Sequence, residues 1–299
     1  VIRRLRCSGA RVALCVALLG AGCGKQVLKP NPHYVLGNPY RVGPVWHYPR
    51  EAFDLDETGL AAVMKDSAPR LTTDGEMFDQ TALAAAHPTI QLPAIALLTN
   101  LETGREVMVR LNDRGSGDPH RLLEITRRTA QLLAARPGGV IRVRLRVLSP
   151  ESHAAADSLP GAPALDLAAA PRGPVEVAEL PPVPGVRLGS LRPLVAAPLA
   201  TRDPAPVKTP PLRLAEAITQ TTPQPGRLVV RLDTFEDYQY AAVQRARMGW
   251  SVADIVSVFE GRTERFRVEI GPLPSVAAAD AVLDKALAFG IPDARIVVD

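Results

Sequence analysis

The chain has 299 residues, 46% of them hydrophobic and only 4% aromatic, and carries a formal charge of +4. That length suggests two domains, or one domain with a linker, and the apolar content is enough for a buried core. The charge has a local source: Arg3, Arg4, Arg6 and Arg11 fall in residues 1–22 beside no acid, which leaves residues 23–299 formally neutral and without the electrostatic footprint of nucleic-acid binding.

Residues 1–22 read as a signal peptide. The basic start leads into an apolar stretch from Val12 to Leu19. This is shorter than the ~20 residues a bilayer span takes and has the size of a secretory core. Small residues then end at Cys23. The ending resembles a bacterial lipobox, with Gly20 where Leu is usual, and the resemblance implies a lipid on Cys23. All three cysteines, Cys7, Cys15 and Cys23, lie within this stretch, so the mature chain has no pair for a disulfide or a thiolate metal site. Gly24 rather than Asp follows Cys23, which by the same resemblance favours the periplasmic face of the outer membrane of a Gram-negative bacterium.

Residues 23–56 are polar and turn-rich and are expected to lie extended. From 57 to 149, short strand-like runs are broken by turns. "GLAAVM" precedes the turn Thr72–Gly75. "PAIALLTN" and "REVMVRL" flank residues 101–104, a hairpin signal with Gly104 late in the loop. "ITRRTAQLLA" is a short amphipathic helix with Thr126 at its N-cap. "GGVIRVRLRVL" alternates apolar residues with arginine, so one face is buried and one is wet. Many short strands with one helix argue for a small β-barrel.

Residues 150–226 hold 16 of the 29 prolines and no aromatic residue. Such a segment buries too little area to offset its ordering entropy, so it reads as a disordered Pro/Ala-rich linker, with "LRLAEAITQ" as a transient helix. Residues 227–299 recover domain character. "RLVVRLDTF", "DIVSVFE", "RFRVEIGPL" and "ARIVVD" are strands. "EDYQYAAVQRARMG" and "SVAAADAVLDKALAFG" are helices, the second capped by Ser275 and stopped by Gly290. The order βαββαβ is a ferredoxin-like α+β unit.

Two resemblances become specific on these residues. The C-terminal unit resembles a SPOR domain through "LVVRLDTF", "RFRVEIGPLPSVAAADAV" and "ARIVV", with Arg231 or a neighbour where the family usually has Gln. Residues 57–149 resemble the double-psi β-barrel of the rare lipoprotein A family of endolytic lytic transglycosylases. The match runs through "TTDGEMFD", "AAAHPTIQLP", "LLTNLETGREVMVRLNDRG" and "RLLEITRRTAQLL". Gly59 and Ala61 match that family's first strand, but its Trp-Tyr pair is missing. The architecture implied is mixed: barrel, linker and SPOR unit.

The resemblance implies function at Glu76, Asp79, His87 and Asp113, and a substrate of peptidoglycan glycan strands stripped of stem peptides at the division septum. Cleavage without water needs an acid for the glycosidic oxygen and a base for the attacking N-acetylmuramic 6-hydroxyl. Two carboxyls in unlike surroundings supply both roles. Asp113, at the end of a buried strand, takes the leading role, with Glu76 as its partner, a division that also works in reverse; His87 and Asp79 orient or polarise. Asn112–Gly115 also suits a braced turn with an Arg114 ion pair. His33, His47, His120 and His153 are expected to be solvated. One histidine among scattered acids has no metal-ligand spacing, so neither metal nor cofactor is expected. Partners are the denuded glycan, the outer membrane through the lipid, and divisome proteins. The competing expectation is a non-catalytic septal peptidoglycan-binding lipoprotein, favoured by the lost aromatic pair.

Overall fold

The computed structural model describes residues 28–65, 69–163, 213–249 and 253–299. The signal segment, Cys23 and the body of the expected linker lie outside the described residues. The segment before the barrel is more than extended chain. β1 (Tyr40–Val42) and β2 (Val45–His47) form an antiparallel hairpin. Val35 bridges Leu92 and Arg50 bridges Ile90, so backbone pairing ties this stretch to the barrel wall on both sides of the hairpin.

The barrel consists of β3 (Asp56–Val63), β4 (Ala84–Ala86), β5 (Ala94–Asn100), β6 (Arg105–Asp113), β7 (Leu123–Ile125) and β8 (Val140–Val147). Neighbours run β4-β7-β3-β8-β5-β6, and β6 pairs back with β4 to close the ring. The β3–β7 and β4–β6 pairs are parallel and the others antiparallel. This is a double-psi β-barrel, and closure leaves it no open edge around the ring. The alternation of β8 works as its sequence predicts. Ile141, Val143, Leu145 and Val147 are buried, while Arg144 turns outward to Asp56 at 2.6–2.7 Å. Leu92, Ile95, Leu98, Leu111, Leu123, Ile125 and Leu145 are fully buried in one cluster, each stabilising the fold by about 1.5–3 kcal/mol. After β7, α1 (Arg127–Leu132) starts as expected, with the Thr126 side chain accepting from the Thr129 N–H.

Both ends of the expected linker require correction. α2 (Ser149–Asp157) is a helix packed on β5. The Ser152 hydroxyl accepts from Ile95 N–H at 2.9 Å and donates to Ile95 C=O at 3.0 Å, and Ala155 and Ala156 are buried beside it. The Ala-rich composition that suggested disorder is here what permits close approach. At the far end, β9 (Ile218–Gln220) is a strand, not a helix, and pairs with Arg105–Val107. It covers the first residues of β6, whose second neighbour, β4, reaches only Arg110–Asp113.

The C-terminal unit contains β10 (Leu228–Phe235), α3 (Tyr238–Met248), β11 (Ala253–Glu260), β12 (Thr263–Leu273), α4 (Val276–Ala288) and β13 (Arg295–Val298). Its sheet order, β11-β12-β10-β13, is all antiparallel and is the ferredoxin-like arrangement. Ser275 caps α4 through the Ala278 N–H, and Gly290 follows with φ +83°. The unit packs against the barrel. Leu60 of β3 joins its core, the Thr58 hydroxyl donates to Val298 C=O at 2.6 Å, and Arg121 grips Asp280 with two bonds of 2.7 and 3.1 Å.

Candidate active site

The end of β6 organises the polar residues of the barrel. Strand periodicity puts Arg110 and Asn112 on one face and turns Asp113 to the other. The turn Thr72–Glu76 lies across this strand end and is fixed to both faces. Its geometry begins with Gly75 at φ +84°, which lets Gly75 N–H donate to Thr72 C=O at 3.0 Å.

Glu76 is buried on the Arg110–Asn112 face. Its Oε1 accepts from Arg110 Nε at 2.7 Å and its Oε2 from Asn112 Nδ2 at 2.8 Å. Arg110 is itself 3% exposed, so this is a desolvated ion pair. Glu76 also lines a cleft of about 250 Å³ with Phe78, Asp79, Leu83, Thr126 and Arg213.

Asp113 holds the turn from the opposite face. Its Oδ1 accepts from Thr73 N–H at 3.1 Å, Thr73 Oγ1 at 2.8 Å and Arg114 N–H at 2.9 Å, while Oδ2 takes Arg70 at 2.5 Å. Arg70 in turn lies over the Phe78 ring, 4.3 Å from its centroid. His87 follows β4, and its N–H donates to Asp113 C=O at 2.9 Å. The His87 Nδ1 accepts from the Thr89 and Ile90 N–H groups at 3.2 and 3.4 Å, which leaves the proton on Nε2. Burial, aided by Arg114, lowers His87 to about 3, so the ring is neutral at ordinary pH. Among the described residues no carboxylate forms an ion pair with Arg114, whose guanidinium donates to the carbonyls of Leu36, His87 and Ile90.

The structure thus gathers Glu76, Asp113 and His87 around the paired ends of β4 and β6. Asp79 stands apart at the cleft mouth. Its carboxylate caps its own turn through Thr81 N–H and Oγ1, both at 2.7 Å, and pairs with Arg213 at 2.9 Å. Burial opposes its ionisation, but these donors prevail and hold it below its usual value.

A carboxyl that the sequence presented only as a turn residue has strongly altered acidity. Asp74 is fully buried, accepts from Thr72 Oγ1 at 2.7 Å and from Glu76 N–H at 3.2 Å, and leaves Oδ2 without a partner. Burial first, and the charge of Glu76 second, raise it to about 7. The signal was present as two acids separated by one glycine, a spacing that a tight turn brings together. His47 also departs from expectation. It is 7% exposed rather than solvated, because the β1–β2 hairpin folds it onto the barrel. His120 bridges Asp118 and Asp284 at 2.7 and 2.9 Å. Among the described residues, no three His, Cys, Asp or Glu side chains gather as metal ligands would.

The lytic transglycolase family matches residues 56–145, from the start of β3 to Leu145 of β8. The barrel is similar to this family along all six of its strands. Relatives extend the likeness. A Rickettsia bellii protein named endolytic peptidoglycan transglycosylase RlpA is 28% identical over 140 residues, covering 43% of this chain and 62% of its own. Proteins of the same name from Salmonella typhimurium and Escherichia coli K12 are 33% and 41% identical over 134 and 91 residues, covering 42% and 30% of this chain. The aligned part spans 35% and 25% of those two relatives, so the chain matches less than two thirds of each of these three proteins.

Proposed function

We propose that the protein is a lytic transglycosylase that cleaves the bond between N-acetylmuramic acid and N-acetylglucosamine in peptide-stripped peptidoglycan and leaves 1,6-anhydro ends. The observation that carries this reading is the Asp74–Glu76 pair: a cleft-facing carboxyl gripped by Arg110 and Asn112, beside a buried carboxyl raised to about 7. Burial and the neighbouring charge of Glu76 keep a proton on Asp74 up to near neutrality. Glu76 delivers that proton to the glycosidic oxygen as the bond to the anomeric carbon breaks. Its carboxylate then takes the proton of the 6-hydroxyl, whose oxygen closes on the same carbon, and the pair ends with the proton it began with. Arg110 and Asn112 hold the carboxylate in place through both steps.

The leading role therefore passes from Asp113 to Glu76. Asp113 is a positioning residue that fixes the turn through Thr73, and neutral His87 braces the strand ends. Asp74 is closed off from solvent and acts through Glu76 rather than on the substrate.

The same reading assigns the C-terminal unit to binding denuded glycan as a SPOR domain, Cys23 to lipid anchorage at the outer membrane, and the whole to the division septum with divisome proteins as partners. It is supported by the ferredoxin-like order of the unit and by the lipobox-like sequence at Cys23. The test is digestion of stripped glycan strands with product analysis by mass spectrometry. Wild-type protein should release 1,6-anhydro ends, and Glu76→Gln should cut the rate by ~10²-fold or more. Strands that are bound but never cleaved would leave a non-catalytic glycan-binding lipoprotein.

A further inference from the structure

The barrel strand that supplies the family's aromatic pair has none here: β3, Asp56–Val63, contains no aromatic residue. A glycan chain needs such surfaces, because the C–H faces of pyranose rings pack on flat apolar rings. Two aromatic side chains stand exposed elsewhere on the barrel side. Trp46 on β2 and Tyr48 just after it are 49% and 61% exposed, with ring centroids 6.4 Å apart and planes inclined by only 27°. Both line a cleft of about 690 Å³ that runs from the hairpin along the barrel to the C-terminal unit.

The floor of this cleft carries unspent hydrogen-bonding capacity. His47 and His87 both line it and both are more than nine-tenths buried; the Nε2 of His87 has no partner, whereas the His47 ring lies against the Gly117 backbone. Leaving a buried ring nitrogen unpaired is destabilising, and a ligand hydroxyl or acetamido group relieves that cost. In His87 the orphan atom is the protonated one, since Nδ1 is taken by backbone N–H groups. It is a donor for a sugar oxygen. The cleft also holds one uncommitted cation. Arg144 is paired with Asp56, Arg231 with Glu269 and Asp299, and Arg295 with Glu57. Arg50 lines the cleft two residues after Tyr48, and among the described residues no carboxylate pairs with it.

We propose that the N-terminal hairpin carries a saccharide subsite in which Trp46 and Tyr48 stack on sugar rings, His87 bonds a ring substituent, and Arg50 binds a carboxylate borne by the chain. The ligand class is an N-acetylated amino-sugar chain with free ether-linked carboxylates, the groups that removal of stem peptides uncovers. The subsite rests on the reading of the barrel as a glycan-acting domain and replaces the platform its first strand lacks.

Binding tests it separately from catalysis. In full-length Trp250→Phe protein, Trp46 is the only tryptophan, and its emission reports this cleft alone. Titration with stripped glycan strands and with the neutral N-acetylglucosamine tetramer should shift that emission saturably, and equally well in the Glu76→Gln variant. Tyr48→Ala should weaken both ligands by about tenfold. Arg50→Gln should weaken the acidic strands by about five- to tenfold and leave the neutral tetramer unchanged. Trp46 emission that neither ligand moves overturns the subsite. Equal losses on both ligands in Arg50→Gln overturn the assignment of the carboxylate. A Trp46 response from protein that makes no anhydro product upholds the subsite while removing the catalytic reading.

Discussion

The barrel and the C-terminal unit handle charge in opposite ways. The barrel side buries Asp74, Glu76, His87, Arg110 and Asp113 around one strand end, whereas Glu269 is the only buried charged side chain of the C-terminal unit among the described residues. Glu269 sits between Arg231 and Arg267, whose side chains are 23% and 21% exposed and keep access to water. Burying ionisable groups costs stability unless each is paired, so a fold that concentrates them in one place holds them for chemistry. The open sheet of the C-terminal unit keeps its charges at the rim; the closed barrel takes them inside.

The largest expected effect lies in that contrast. Glu76→Leu leaves the guanidinium of Arg110, 3% exposed, without its carboxylate, and should cost about 3–5 kcal/mol. Glu269→Leu frees two arginines that rehydrate, and should cost about 1 kcal/mol. Urea denaturation of the two full-length variants measures both. Equal losses would mean that the barrel's buried charges are no more committed than those on the rim of the sheet.

The second test uses pH. Asp74 is raised to about 7, whereas in the unfolded chain it ionises near 4. Between those values the folded state holds the extra proton, so this group makes stability fall as pH rises from about 4 to about 7. His87 acts in the other direction. It is lowered to about 3, so the unfolded chain binds its proton first and stability falls as pH drops below about 6.5. Asp74→Asn should remove the first slope and keep the second, making the variant more stable than wild type at pH 8 by an amount on the order of a few kcal/mol. Denaturation at pH 5 and 8 checks this. A wild-type slope that survives the substitution would place the titrating carboxyl elsewhere.

Much of this was legible in the sequence because it repeats local rules. The β8 alternation, the 101–104 hairpin, and the Thr126 and Ser275 caps each follow from a few neighbouring residues, and the structure has them where those residues put them. What stayed hidden depends on contacts across the chain. The acidity of Asp74 comes from burial beneath a strand 38 positions away, where its N–H donates to Asn112 C=O. The helix at Ser149–Asp157 depends on Ser152 meeting the backbone of Ile95. His47 is buried only because its hairpin folds onto the barrel. The missing Trp-Tyr pair of the first strand is plain in the sequence, but the stacking of Trp46 and Tyr48 with ring centroids 6.4 Å apart is not.

Glycine substitutions sharpen the same comparison. Gly75 and Gly290 have nearly equal φ, +84° and +83°. A Cβ on Gly75 meets Asn31 C=O at 2.2 Å, because residues 31–33 pair with the 74–75 turn through backbone bonds of 2.9 Å; a Cβ on Gly290 meets nothing within 4 Å. Gly290→Ala should therefore cost only the ~1 kcal/mol of a left-handed alanine. Gly75→Ala should cost about 2–3 kcal/mol, and it should displace the 31–33 segment as well. Limited proteolysis near residue 31 is the second readout. Similar costs with no new cleavage would show that this segment yields freely.

The smallest contrast is between the two helix caps. Thr126 and Ser275 do the same local task, each accepting from the N–H three residues on. Their surroundings differ. Thr126 is 1% exposed, donates to Ala82 C=O at 2.7 Å and contacts Thr129 Oγ1 at 2.9 Å, so it also ties α1 to the loop before β4. The Ser275 hydroxyl is exposed, and its bond to Ala278 N–H is 3.1 Å. Ser275→Ala should lose about 1 kcal/mol, the ordinary value of a cap whose freed N–H turns to water. Thr126→Ala strands a carbonyl and an N–H inside the barrel end and should lose about 2 kcal/mol. Thermal unfolding of the two variants separates them: the Thr126 change should lower the melting temperature by roughly twice as much. If Ser275→Ala proves the costlier, capping strength is set by the helix behind it, since α4 is twice as long as α1, and not by how deeply the cap is buried.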